Sequence, residues 1–313
     1  MKIAVMGSGG VGGYFGGRLA QRENDVHFIA RGEHFETLRE EGIKVKSTLG
    51  DFDIRAIPVT DDAEHIGEVD AVLFTVKSQD TKDAAQKVKP LLGADTIVVS
   101  LQNGVGNEEV LQEVLGESCV LGGVAYIEAE IQEPGVIAHK SPFARLAFGA
   151  FDGEIPEKAK ALLEAFKSAQ VEAELEEDIQ RVIWTKWLFI CAFSGVTAVT
   201  RKPIGAILED EDATRLYRTV MEEIAALAEA KGVGLSDDIV EERLNFSRNS
   251  LDADMRSSLQ QDLARGRPLE LDALNGYASK LGDELGVETP ANDFIYAALK
   301  LHKEGSDDDA DDE

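Results

Sequence analysis

Apolar positions follow two rhythms along the chain, and the change from one to the other divides it. In the first half, short apolar runs punctuated by glycine and polar residues predict strands at KIAVMG, DVHFIA, IKVKS, DIRAIPV, DAVLFTVK, TIVVSLQN and CVLGGVAYIEAEI. Between several of them the spacing turns helical, as in GGYFGGRLAQ, SQDTKDAAQKVKPLLG and EEVLQEVLG. Strand and helix in alternation imply a doubly wound, mostly parallel sheet covered on both faces. The stretch PGVIAHKSPFARLAFGAF alternates in β fashion and is placed at the far edge of that sheet. From Ile179 onward the pattern is almost wholly helical, with apolar residues at three and four spacings, as in Val220, Ile224, Leu227 and Ala228. The expected fold class is therefore α/β: an N-terminal Rossmann-type doubly wound sheet over residues 1–177 and an all-α domain over residues 178–304. Residues 305–313, GSDDDADDE, read as a disordered acidic tail.

Composition narrows the function classes. The chain has 313 residues, enough for two domains that each bury a core, and 43% of them are hydrophobic. The longest uninterrupted apolar runs, such as AVLF and WLFICAF, fall far short of the ~20 residues of a membrane span. The first residues enter a strand directly, with no secretory leader, so the expected location is the cytoplasm, away from membranes. A formal net charge of −27 repels polyanions and speaks against nucleic-acid binding. The two cysteines, Cys119 and Cys191, lie in apolar settings and read as buried reduced thiols. The five histidines form no HxH or HExxH pair, so no metal is expected. The long apolar helices of the second half suit packing against a copy of themselves as a homodimer.

Gly7-Ser8-Gly9-Gly10-Val11-Gly12 matches GxGxxG directly after an N-terminal strand and at the start of a helix, the context that a dinucleotide site requires. Gly7 permits the tight turn, Gly9 lets the backbone approach a pyrophosphate, and Gly12 allows close helix–strand packing. The helix N-terminus presents unpaired N–H groups to the phosphates. Glycines 13, 16 and 17 keep the helix thin. About 20 residues on, an NAD site places a carboxylate for the ribose 2′-hydroxyl. Here the second strand ends in Ala30-Arg31-Gly32, and a guanidinium suits a 2′-phosphate, so NADP(H) is the expected cofactor. Glu33 follows two residues later, and the alternative is an ordinary solvated arginine.

Two further strand ends carry polar residues where such a sheet opens its ligand crevice: Lys77 in VLFTVKSQD and Asn103 in VVSLQNGVGNEE. Taken singly, a solvated lysine and a turn-forming Asn-Gly pair account for them equally well. In the helical half, Lys186 sits within VIWTKWLFICAF. A lysine among large apolar residues either reaches a polar cleft, with its pKa lowered toward a range useful for proton transfer, or snorkels to water. Glu270 interrupts an apolar pattern in GRPLELDALNG; a solvated helix face is the alternative.

GSGGVGGYFG, SLQNGVG, the helix carrying Lys186 and SSLQQDLARGRPLELDALNG together resemble the ketopantoate reductase (2-dehydropantoate 2-reductase) family over essentially the whole chain except the acidic tail. The resemblance implies an NADPH-dependent oxidoreductase with a Rossmann N-terminal and an all-α C-terminal domain, reducing 2-dehydropantoate to (R)-pantoate on the route to pantothenate and coenzyme A. It implies Lys186 as proton donor to the ketone oxygen, with Glu270 close by as the second catalytic group. Asn103 would touch nicotinamide ribose and substrate, Lys77, Ala129 and Glu270 would line the cofactor, Ser258 would hold the substrate carboxylate end, and Arg31 would match the 2′-phosphate arginine. The chain departs from the family at three substrate asparagines, which here are Ile190, Ser194 and Ile204; Ser194 is retained as a substrate-binding position. A reductase of a related small 2-oxo acid is therefore the nearest alternative, and a non-enzymatic NADP(H) sensor the alternative from another class.

Overall fold

The computed structural model describes residues 1–305; the acidic tail from Ser306 onward, which the sequence reading takes as disordered from residue 305, lies outside the described residues. The described chain divides into two compact units, one made of residues 1–102 and 107–180, the other of residues 103–106 and 181 onward. The short segment 103–106 thus belongs with the helical unit although the chain reaches it from a strand of the first.

The first unit runs β1 (Lys2–Met6), α1 (Gly10–Ala20), β2 (Asp25–Ile29), α2 (Gly32–Glu41), β3 (Ile43–Ser47), β4 (Phe52–Ile54), β5 (Val59–Thr60), β6 (Val69–Phe74), α3 (Thr81–Val88) and β7 (Leu92–Ser100). It continues with α4 (Asn107–Leu115), β8 (Val120–Tyr126), β9 (Ala129–Glu133), β10 (Val136–His139), β11 (Arg145–Gly149), α5 (Glu157–Ser168) and β12 (Glu172–Leu175). Eight strands form the main sheet in the order β12-β11-β8-β7-β6-β1-β2-β5. All neighbours are parallel except β8 and β11. Its central strands are shut off from water on both faces, with Ile3, Ala4, Val5, Val72, Leu73 and Phe74 fully buried, as a sheet covered by helices on each side requires.

Four strands leave this sheet. β4, β3, β10 and β9 form a second one in that order. The sequence reading that placed PGVIAHKSPFARLAFGAF at the far edge of the main sheet is corrected here: its first part, β10, pairs with β3 in the small sheet. Its second part, β11, lies inside the edge strand β12. The physical signal is alternation. In β3, Ile43 and Val45 are buried while Lys44 and Lys46 are exposed, the one-face-wet pattern of a sheet with a single covered side. α1 lies between the two sheets, and its glycines make room. A Cβ on Gly16 would press on Val5 and Phe28 of the main sheet, whereas one on Gly13 or Gly17 would press on Ile137 or Phe52 of the small sheet.

The second unit is helical: α6 (Ile179–Thr200, whose first two residues belong to the first unit), α7 (Ile204–Glu209), α8 (Glu211–Ala230), α9 (Ile239–Ser250), α10 (Ser258–Ala264), α11 (Asn275–Leu285) and α12 (Pro290–Leu299). α6 is long and apolar enough to cross a membrane by length and composition alone, but 67% of its apolar window is buried within the protein, as in a core helix. Tyr217, Val220, Met221, Ile224, Leu227 and Ala228 form the fully buried stripe of α8. Glu223, on the same helix, accepts hydrogen bonds from the backbone N–H groups of Ala291 (2.8 Å) and Asn292 (3.0 Å) at the start of α12. It also accepts one from the Asn292 carboxamide (2.7 Å), which in turn accepts from Asn275 (2.9 Å). A buried carboxylate thereby supplies the cap that Thr289, at the cap position of α12, does not make, its hydroxyl donating to Asp293 instead (3.0 Å). Both cysteines are free thiols; Cys191 is buried, whereas Cys119 is only half-buried.

Candidate active site

The turn after β1 is anchored from three sides. Gly7 has φ +97°, and a side chain there would also meet Val76. The N–H groups of Gly7 and Ser8 both donate to the Ile29 carbonyl at the end of β2 (3.2 Å each), and the buried Ser8 hydroxyl joins them (3.1 Å). Thr75, at the end of β6, donates its hydroxyl to the Gly7 carbonyl (2.7 Å). His34 of α2 bonds through Nε2 to the Ser8 carbonyl (2.8 Å), while its Nδ1 accepts from the Gly135 N–H (3.1 Å). Those two bonds require the neutral tautomer with its proton on Nε2, and burial holds the imidazole pKa below its usual value.

With its carbonyls held from behind, the turn offers its N–H groups forward. α1 has Gly9 as a cap without a side chain, and no acidic residue stands in its first turn although the chain is strongly acidic. The N–H groups at Gly10, Val11 and Gly12 have no acceptor within the helix. A Cβ on Gly9 would meet nothing within 4 Å, so the backbone is open on that side. Gly12 is closed in by the Gly7 carbonyl, Thr75 and Val5, the close helix–strand packing expected of the last glycine. Gly10 is pressed against the Ala129 carbonyl at the start of β9, which brings Ala129 to the turn. These residues fit a dinucleotide pyrophosphate.

Arg31 caps α2 at the tip of β2, with its side chain 83% exposed and its Nη2 bonded to Asp80 Oδ2 at 2.7 Å. Lys77 opens the short 3-10 turn Ser78–Asp80 beyond β6. Gln102 ties this turn to the end of β7 by donating to the Val76 carbonyl (3.0 Å) and the Thr81 hydroxyl (2.8 Å).

In the second unit, Lys186 Nζ donates to the Asn103 carboxamide oxygen at 2.8 Å. Desolvation brings the Lys186 pKa down from 10.5 to about 8, against the pull of the Glu270 carboxylate, which favours the ammonium. Lys186, Asn103 and Glu270 therefore come together although they lie in three separate stretches of sequence. The supporting contacts are specific. Gly104 packs on the Ala273 carbonyl and Gly106 on the Tyr277 ring, positions where a Cβ does not fit. Trp187, next to the lysine, donates its indole N–H to the same Ala273 carbonyl (3.2 Å).

The other sequence candidates are not gathered in the same way. Ser194 is 1% exposed and lies eight residues beyond Lys186 on α6, roughly 12 Å of helical rise. Ile204 is equally buried, and Ile190 is half-buried. Ser258 is exposed at the first position of α10; its neighbour Ser257 caps that helix and shares a 2.7 Å hydrogen bond with Thr197. Sequence reasoning did not find Thr75, His34 and Asp80. Thr75 had a signal, a polar residue breaking the apolar run of DAVLFTVK; His34 and Asp80 had none, because their partners are set by the fold.

An open glycine turn made for a dinucleotide and a desolvated lysine held by a carboxamide define the class, a nicotinamide-dinucleotide-dependent oxidoreductase of Rossmann type. The ketopantoate reductase PanE/ApbA family pattern matches residues 3–153, and its C-terminal counterpart matches residues 178–304. An uncharacterized oxidoreductase, YkpB, of Bacillus subtilis is 32% identical over 97% of this chain and 99% of its own length. A 2-dehydropantoate 2-reductase of Mesorhizobium japonicum is 30% identical over 96% of this chain and 97% of its own. The crystal structure of a PanE/ApbA family ketopantoate reductase from Ralstonia eutropha superposes with a TM-score of 0.88 at 34% identity, covering 97% of this chain and 98% of that one. The chain belongs to the ketopantoate reductase family. That membership sets the non-enzymatic sensor aside.

Proposed function

We propose that this protein reduces 2-dehydropantoate to (R)-pantoate with NADPH, a step toward pantothenate and coenzyme A. The observation that carries the reading is the Lys186 ammonium, desolvated to a pKa of about 8 and directed by its bond to Asn103. The nicotinamide cofactor, when bound, supplies the hydride that goes to the ketone carbon. Lys186 gives the proton to the ketone oxygen and stabilises the negative charge that builds there. Asn103 orients the ammonium, and Glu270 keeps it protonated. Gly7 to Gly12 with Ala129 seat the pyrophosphate, Lys77 lies along the cofactor, and Arg31 takes the 2′-phosphate. Ser258 meets the substrate carboxylate end. In this reading residues 1–177 are the cofactor domain and residues 178–304 the substrate domain.

The test is NADPH oxidation followed by absorbance with 2-dehydropantoate beside a panel of related 2-oxo acids. A kcat/KM for 2-dehydropantoate at least tenfold above every analogue supports the assignment, and a preference for another acid replaces it. The second reading, a reductase of a related small 2-oxo acid, is favoured by one observation: apolar or buried side chains, Ile190, Ser194 and Ile204, stand where the family often has asparagines.

A further inference from the structure

The Arg31 guanidinium already has a partner before any cofactor arrives. Its Nη2 lies 2.7 Å from Asp80 Oδ2, and this carboxylate comes from the turn after β6, 49 residues away in sequence. Glu33, the nearest acid in sequence, makes no ion pair with it. Asp80 occupies the cap position of α3, yet its side chain makes no cap hydrogen bond and is given to Arg31 instead. Its backbone is held in place by a bond from its own N–H to the Lys77 carbonyl (2.9 Å). The Asp80 side chain is 34% exposed against 83% for Arg31, so the carboxylate is the more enclosed member of the pair.

We propose that Asp80 sets the cofactor preference of this enzyme. The inference rests on the dinucleotide reading above, in which Arg31 grips the 2′-phosphate. Any group that Arg31 grips comes within a few ångströms of the Asp80 carboxylate. A phosphate must displace that carboxylate or be repelled by it. A free 2′-hydroxyl finds in it the acceptor that NAD sites place there. Because an exposed ion pair is weak, a dianion displaces it readily. Asp80 therefore moderates the preference for NADPH without abolishing it, and NADH remains a usable cofactor.

The experiment measures dissociation constants of NADPH and NADH on the apoprotein by titration calorimetry, with adenosine 2′,5′-bisphosphate and AMP as nicotinamide-free probes. The variant is Asp80→Asn, which keeps the shape and the capping ability of the position and removes the charge. The expected result is a three- to tenfold tighter Kd for NADPH and for the bisphosphate, with NADH and AMP unchanged or up to threefold weaker. A ratio of NADH to NADPH dissociation constants that stays within twofold of wild type, or that moves toward NADH, overturns the proposal. Arg31→Ala separates this from the cofactor reading itself. If Arg31→Ala leaves NADPH binding intact, it is the 2′-phosphate assignment that fails; if it weakens NADPH at least tenfold while Asp80→Asn changes no ratio, the inference about Asp80 fails alone.

Discussion

The two units prepare for chemistry by opposite means. The first removes side chains. Glycines at 7, 10 and 12 bring main chain against main chain. Thr75 and His34 hold the turn's carbonyls and the Ile29 carbonyl takes the Gly7 and Ser8 N–H groups, which leaves the backbone N–H groups at the start of α1 as the donors the turn offers. The second adds side chains and then dries them. A lysine enters an apolar helix, a carboxamide arrives from residues 103–106, and polar cross-links such as Glu223–Asn292–Asn275 fix the helices around them. A backbone site tolerates change in side chains but not in space, whereas a site of desolvated side chains tolerates change in neither.

The largest expected effect separates these two designs. Lys186→Ala is expected to lower kcat by about 10²–10⁴ while the Kd for NADPH stays within a few-fold of wild type, the loss typical of a positioned proton donor. Single-turnover rates beside NADPH titrations measure this; a turnover near wild type would end the assignment. Gly10→Ala is the mirror experiment. The added methyl runs into the Ala129 carbonyl, so NADPH binding should fall and the first unit lose about 1–3 kcal/mol, with the second unit's own hydrogen-bond network untouched.

Smaller effects sharpen the contrast. Glu223→Ala strips the cap from α12 and leaves buried N–H groups unpaired, a cost of about 2–4 kcal/mol, seen as a lower Tm without a change in NADPH affinity. Glu108 is the first unit's counterpart, a buried carboxyl at the start of α4 whose Oε1 finds no partner among the described residues. Burial lifts its pKa from 4.5 to about 7. The folded protein therefore holds a proton that the unfolded chain releases above about 4.5, and stability falls as pH rises through about 7. Glu108→Gln should match wild type near pH 4 and exceed it at pH 8 by as much as roughly 3 kcal/mol, at about 1.4 kcal/mol per pKa unit, in urea unfolding. The smallest effect is a pH limb. In the proposed mechanism the ketone oxygen takes its proton from the Lys186 ammonium, so kcat should hold below pH 8 and drop tenfold per unit well above it. Glu270→Gln removes the charge that opposes desolvation and should move that limb to lower pH; a shift upward would contradict it.

Much of the first unit was legible because its signals are local. A largely buried strand, a glycine turn and a helix follow one another within twenty residues, and Arg31 stands just past the very next strand. The small sheet was not legible, since β3 pairs with β10 across some ninety residues and alternation in β3 does not say which sheet it joins. In the second unit, Lys186 stood out by violating its apolar context, and the buried stripe of α8 followed from spacing alone. The closeness of Glu270 came from resemblance, whereas the bond to Asn103 was foreseen by neither pattern nor resemblance, which gave Asn103 only to cofactor ribose and substrate. Nothing local says that residues 103–106, read as a strand-end asparagine followed by a turn, belong with the helices. Asp80 was hidden for the same reason: a capping residue and an ion-pair partner look alike in sequence.

The position of α1 between two sheets also governs the order in which the protein can be made. Its inner face meets β1 and β2 as soon as those strands emerge, but Gly10, Gly13 and Gly17 lean on Ala129, Ile137 and Phe52. At typical synthesis rates of 5–20 residues per second, the Ala129 carbonyl follows Gly10 by roughly ten seconds. Until then the glycine turn has a floor and no roof. A nascent chain stopped before β9 would already contain Phe52, the neighbour of Gly17, but neither Ala129 nor Ile137, so Gly10 and Gly13 would stay uncovered until the chain had grown more than a hundred residues past them.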